Sequence, residues 1–256
     1  MASVLPHSAV IRRSTSTYLG DVEVLAAKTV QCVRALPAFR GVYKVTLATD
    51  LVLAGLATRT HSPSLATSRA LIRRIPFLAS LGQTPGAVVE LRRIIELTFW
   101  SVFFTEHPRE WARFQDLSSH AFVHPDAEPL TAAACREPSF YRKYARDLLQ
   151  SEPSGLAVSA VDRLGVEYGN ISEVVHPAKL TSGPRVPPVF ELPEEGQMQA
   201  LGKQFRAVCR DVSIVLAAVT RRRFDNLGPV QRAWFDWLLG SAKAKRLRSG
   251  PFGLES

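Results

Sequence analysis

Tyr168, Ser172 and His176 fall four residues apart in the stretch EYGNISEVVHP, 167–177. On a helix that spacing stacks them along one face. A phenol, a hydroxyl and an imidazole in one column are either a polar network that ties helices together or an acid–base strip. His176 would sit in the last turn, where the exposed carbonyls of a helix end favour a charged imidazolium. Ile171, Val174 and Val175 give the same helix a neighbouring apolar face, which puts the column at the edge of the core. The expected role is structural first and catalytic second.

A carboxylate suited to meet the column lies in VELRRIIELTFW, 89–100. Glu96 is set among Ile94, Ile95, Leu97, Phe99 and Trp100, so it is expected to be mostly buried. A buried carboxylate must be paired, hydrogen-bonded or protonated. Arg92 precedes it by four residues and Arg93 by three, and both spacings reach. An Arg–Glu pair meeting polar groups of another helix would join Arg93, Glu96, Tyr168, Ser172 and His176 in one candidate site.

An RxxE helix preceded by a Gly-containing turn, with a later YxxxSxxxHP helix, resembles a group of uncharacterised bacterial helical-bundle proteins. That group is similar to the HEPN superfamily of prokaryotic defence and toxin proteins. The matching residues are Gly82, Arg93, Glu96, Tyr168, Ser172, His176 and Pro177, and the resemblance covers roughly residues 40–225. It implies an all-α bundle, dimers, and a setting in phage defence, toxin–antitoxin systems or RNA metabolism. HEPN ribonucleases carry an Arg-x(4–6)-His motif, joined across a dimer into a metal-independent site. That chemistry needs an acid or base at the 2′-hydroxyl and a cation on the scissile phosphate. The column departs from the motif, because Arg163 lies too far before His176. RFQDLSSH fits at the limit, with six residues between Arg113 and His120, and makes these two a weaker catalytic pair.

Two metal patterns are incomplete. Glu173 and His176 form a Glu-x-x-His pair, but di-iron bundles need a second such pair and two more inward carboxylates. His120 and His124 stand at i, i+4 as in zinc proteases, but without the Glu of HExxH, and Pro125 follows at once. A solvated loop accounts for these histidines, and no metal or cofactor is expected. The sequence carries no GxxxxGK[ST], GxGxxG or GxSxG, so nucleotide-cofactor and serine-hydrolase classes have no support.

Charge narrows the partner. Lys plus Arg number 32 against 23 Asp plus Glu, a net +9 in 256 residues. This favours nucleic acid, RNA foremost, or an acidic protein. Arg221, Arg222 and Arg223 close a helix and are candidate nucleic-acid contacts. Arg73-Arg74, Arg142-Lys143 and the tail run Lys243, Lys245, Arg246 and Arg248 are further basic groups. A solvated face with helix-end charges explains the same residues. Trp234 and Trp237 read as core packing or an interface more readily than as base-stacking platforms. Cys32, Cys135 and Cys209 form no CxxC, which argues against a disulfide framework and for a reducing, cytoplasmic setting. The longest apolar run, 94–104, carries Glu96 and falls far short of the roughly 20 residues that span a bilayer, so no membrane partner is expected.

The elements that must hold these residues are helices. Periodicity and breakers predict helices over 17–36, 42–60, 64–81 with a kink at Pro76, 85–106, 108–119, 138–150, from SEPSG to Pro177, 197–224 and 229–240. The helix over 85–106 is the most apolar and is expected to be the most buried. Thr84-Pro85 supplies its N-cap and first-turn proline. No sustained alternation marks a strand. The prediction is an all-α, single-domain, HEPN-like bundle over 17–240, with a disordered start at 1–16, a Pro-rich loop at 181–196 and a basic flexible tail at 241–256. The start lacks the apolar core of a secretory signal. The resemblance implies a homo-oligomer. Two functions fit: a nucleic-acid-directed protein of a defence or toxin system, in its catalytic form a metal-independent endoribonuclease, or a non-catalytic interaction, immunity or scaffold module. A nuclease needs His and Arg meeting in an open, positive cleft. A module buries the column and presents an apolar patch.

Overall fold

Prolines and glycines cut the chain into helices at the places where backbone chemistry requires it. The computed structural model describes residues 8–57, 62–112, 137–175, 194–220 and 224–249. Helix accounts for 90% of these residues and none is in a strand, so the protein is an all-α helical bundle. The elements are α1 (Ser8–Ala35), α2 (Pro37–Leu56), α3 (Ser62–Ser80), α4 (Thr84–Glu106), α5 (Pro138–Leu148), α6 (Leu156–Val175), α7 (Glu195–Val219), α8 (Pro229–Leu239) and α9 (Ser241–Ser249). Helices α2, α3, α4, α5 and α8 each carry a proline in the first turn, where its missing N–H costs nothing.

The turn between α3 and α4 shows why Gly82 stands where it does. The Gln83 amide donates to the Leu78 carbonyl at 2.9 Å and the Gly82 amide to Ala79 at 3.1 Å, a Schellman closure. Gly82 takes φ 71°, a left-handed conformation that glycine adopts at no steric cost. At the start of α6, buried Glu152 takes over the capping. Its carboxylate accepts from the amide of Ser154, just before the helix, at 2.8 Å and from that of Ala157 at 3.2 Å, so one orphan donor of the helix end is satisfied.

Helix α7 is the axis of the bundle, in contact with α2, α4, α6 and α8. Helix α3 covers α2 and α4, α5 covers α4 and α6, and α9 lies on α8. One hydrophobic cluster runs from Val33 in α1 to Leu247 in α9. All residues from Asp211 to Ala218 are buried, so the most enclosed helix is α7 and not the more apolar α4. Each of the two contacts four other helices, but α4 turns Arg93 and Glu106 to solvent, whereas α7 is buried on all sides from Asp211 to Ala218.

Several boundaries differ from expectation. Helix α1 begins at Ser8, inside the segment expected to be disordered, and buries Thr29 and Val33. Pro37 opens α2 rather than ending a helix in front of a gap. Gln83 takes the N-cap position expected of Thr84. The expected flexible tail is helical to Ser249. Its Ala244 and Leu247, three residues apart, are buried, and Arg246 Nη2 donates to the Ser154 carbonyl at 2.9 Å. Residues 113–119 and 181–193 lie outside the described residues; the end of the expected Pro-rich loop is already helix, since α7 starts at Glu195.

Candidate functional site

Tyr168 on α6 and Glu96 on α4 do meet. The Tyr168 hydroxyl donates to Glu96 Oε1 at 2.8 Å and accepts from Arg92 Nη2 at 2.9 Å. Arg92 Nε lies 3.4 Å from the same Oε1, an ion-pair contact without hydrogen-bond alignment. The Arg92 guanidinium also stands 5.0 Å from the centre of the Tyr168 ring. The Tyr168 hydroxyl thus has both its donor and an acceptor position used inside one small network. The network is half-buried rather than enclosed: the Glu96 side chain keeps 28% of its exposure and Arg92 22%. Glu96 has thus lost most of its exposure and meets both an arginine and the column, without being enclosed.

Arg93 does not belong to this site. Its spacing would let it reach Glu96, but its guanidinium turns the other way along α4 and pairs with Glu90, three residues earlier, at 3.2 Å. Ser172 also stays out, because its hydroxyl donates back to the Tyr168 carbonyl at 2.7 Å. His176, Pro177, Arg113, His120, His124, Arg221, Arg222 and Arg223 lie outside the described residues. No group of three His, Cys, Asp or Glu residues able to hold a metal occurs among the described residues, and no described helix is long and apolar enough to cross a membrane.

The carboxylates that the bundle buries most deeply are others. Asp211 on α7 is 3% exposed. It accepts two bonds at 2.9 Å from Arg163 Nε and Nη2, and two more from Arg210 Nε and Nη2 at 3.0 and 3.2 Å. The Asp211 hydrogen bond raises the Arg163 guanidinium further above its ordinary range, against the opposing effect of burial. Glu90 lies between Arg74 at 3.3 Å and Arg93 at 3.2 Å. Asp50 on α2 takes Arg69 on one oxygen and Arg73 on the other, both at 2.8 Å. Each carboxylate therefore holds two arginines, which leaves each triad with a net positive charge and several N–H donors turned to solvent.

The sequence carries a signal for Asp211 that residue-pair reasoning passes over. It falls three residues after Val208 and four before Val215, on the buried stripe of α7. A carboxylate at such a position must import its partners. Glu96 stands among apolar residues in sequence, but chain neighbours on a helix point in different directions and are not its neighbours in space.

Asp50 gives the site a pH signature. Burial pushes its carboxyl up, and the hydrogen bonds and charges of Arg69 and Arg73 more than offset this, so it titrates below the ordinary 3.8. A folded-state value below the unfolded one stabilises the fold above the unfolded pKa, and that contribution disappears as pH falls through the folded value. Acid unfolding followed by circular dichroism should therefore be flatter for Asp50→Asn than for the wild type below about pH 4. Superimposable acid profiles would remove the Asp50 pair from any account of stability.

Beside the Asp50 pair, α2 and α3 expose large apolar side chains. Tyr43, Leu47 and Leu51 are 51%, 40% and 36% exposed, and Phe77 on α3 is 61% exposed. The first three recur every four residues and form one ridge. The tryptophans are committed elsewhere. Trp234 and Trp237 pack edge to face at 5.7 Å, with Lys44 and Arg206 at 4.6 and 4.5 Å from the Trp237 ring centre, so this pair joins α8 to α2 and α7. Cys209 is buried beside Thr49, and burial pushes its thiol up to about 12, which makes it an inert part of the core. No protein-family model, curated protein or solved structure matches the chain.

Proposed function

We propose that the protein is a non-catalytic interaction module that binds an acidic partner through the outer face of α2 and α3. The observation that carries this reading is the pairing of the Tyr43–Leu47–Leu51 ridge with a rim of arginines. Arg69 and Arg73 border it on α3, Arg74 follows, and Arg40 is exposed on α2. A contiguous apolar patch with a polar rim is the usual mark of an interaction surface. The Tyr168 network supports the same reading from the other side. It is closed on itself, with its phenol, its carboxylate and Arg92 engaged with one another, and that is how a strut between α4 and α6 behaves.

A second reading keeps the face and changes the partner. Phe77 stands four residues after Arg73 and three after Arg74, and an exposed ring between cations suits nucleic acid as well. Together with the net charge of +9, this favours an RNA-directed protein, for which the HEPN resemblance supplies a defence or toxin setting and an endoribonuclease activity.

The test is direct. Purified protein is incubated with labelled single-stranded RNA in excess EDTA. The module reading expects intact RNA. Cleavage that disappears in both Tyr168→Phe and His176→Ala, at unchanged melting temperature, would replace it with the nuclease.

A further inference from the structure

We infer that the occupant of the α2–α3 face is an acidic amphipathic helix of a partner protein. The inference rests on the module reading and specifies its ligand. Seven large hydrophobic residues are exposed among the described residues; three of them, Tyr43, Leu47 and Leu51, form one ridge on α2, and a fourth, Phe77, stands on the neighbouring α3, one turn beyond Arg73. Isolated exposed leucines need no explanation, whereas a clustered set does. The ridge rises about 12 Å from Tyr43 to Leu51 at 1.5 Å per residue. That length matches two to three turns of a docked helix, which would set its own apolar residues at i, i+4 and i+7 against it.

Charge selects among occupants. The acidic groups bordering the ridge and its α3 flank are Asp50, both of whose oxygens are held by Arg69 and Arg73, and Glu90, held by Arg74 and Arg93. Arg73, Arg74 and Arg93 keep 59%, 57% and 51% of their side-chain exposure while making those pairs. A second copy docked face to face would set one arginine rim against another, and like charges across an interface disfavour it. Nucleic acid would satisfy the arginines and leave the aliphatic side chains of Leu47 and Leu51 without a counterpart. A helix with carboxylates flanking an apolar stripe satisfies both features at once.

The experiment uses the full chain and three fluorescent probes. One is a Glu- and Leu-rich helical peptide with an apolar stripe. The second is a scrambled peptide of the same composition and charge, and the third is a single-stranded RNA. Anisotropy titrations should show the striped peptide binding about tenfold or more tighter than the scrambled one. Leu47→Gln with Leu51→Gln should erase that preference at unchanged melting temperature, since both residues are exposed. Phe77→Gln, on the other helix, should weaken the same preference independently. Equal affinity for the two peptides, or no binding of either, overturns the inference. RNA binding tighter than the striped peptide, undisturbed by the leucine changes, overturns it in favour of nucleic acid. Equal peptide affinities leave the acidic-partner module standing, whereas metal-independent RNA cleavage removes the module itself, so the two readings fail separately.

Discussion

Asp211→Ala is expected to destabilise the protein by about 3 kcal/mol, more than any single change in the Tyr168 network. Four charge-assisted hydrogen bonds converge on this carboxylate, from the forks of Arg163 and Arg210, and its side chain keeps only 4% of its exposure. Removing one member of a buried ion pair typically costs about 3–5 kcal/mol, because the surviving charge has no partner. The low end applies here. Arg163 retains 43% of its exposure and Arg210 27%, so both guanidiniums can turn toward water once the carboxylate is gone. In a chain of this size each kcal/mol moves the melting temperature by about 2–4 °C, which puts the loss at about 6–12 °C. Asp211→Asn keeps the volume but removes the charge and turns one of the two acceptors into an NH2 donor facing the arginines, so it should also destabilise the fold. A destabilisation below about 1 kcal/mol, the size of an exposed pair, would show that solvent screens the triad and that α6 and α7 are held by apolar packing alone.

The contrast between Asp211 and Glu96 shows what the sequence discloses. The contact of Tyr168 with Glu96 was legible because helical spacing puts Tyr168 at the edge of the core, although Ser172, four residues on, turns back to the Tyr168 carbonyl. The choice between Arg92 and Arg93 was open, since both i+3 and i+4 spacings reach a carboxylate. It is settled by which side of α4 faces α6, a tertiary fact. Prolines were legible as punctuation, but Pro37 could equally end one helix or begin the next, and Leu36 between α1 and α2 takes an extended conformation that allows the second. The basic run at 243–248 read as a tail because lysine and arginine dominate it. Ala244 and Leu247 were enough to seat it on α8, since long basic side chains can leave an apolar edge uncovered beneath them. The exposed ridge was not legible at all: Tyr43, Leu47 and Leu51 have the same periodicity as a buried stripe, and only the arrangement of α7, α3 and α8 around α2 shows which of its faces was left over.

The same arrangement predicts the largest loss. Phe205→Ala should cost about 3–5 kcal/mol, the range for deleting a fully buried ring. Phe205 is 0% exposed on α7, in line with Leu201, Val208 and Val212 on the stripe that α2, α4 and α6 enclose. The size of such a loss depends on how far the surroundings collapse into the cavity. A helix flanked on several sides has little freedom to move, because shifting it toward one neighbour opens space at another. The upper half of the range is therefore expected. Tyr168→Phe provides the scale. It removes a hydroxyl whose neighbours Arg92 and Glu96 stay paired and partly solvated, and about 1 kcal/mol is expected. Urea unfolding of both variants, with the slope of free energy against denaturant unchanged from wild type, measures the difference. If Tyr168→Phe proved as costly as Phe205→Ala, the bundle would be held through its α4–α6 network. The column at 168–176 would then have to be read as the organising centre of the fold, and α7 as one helix among equals.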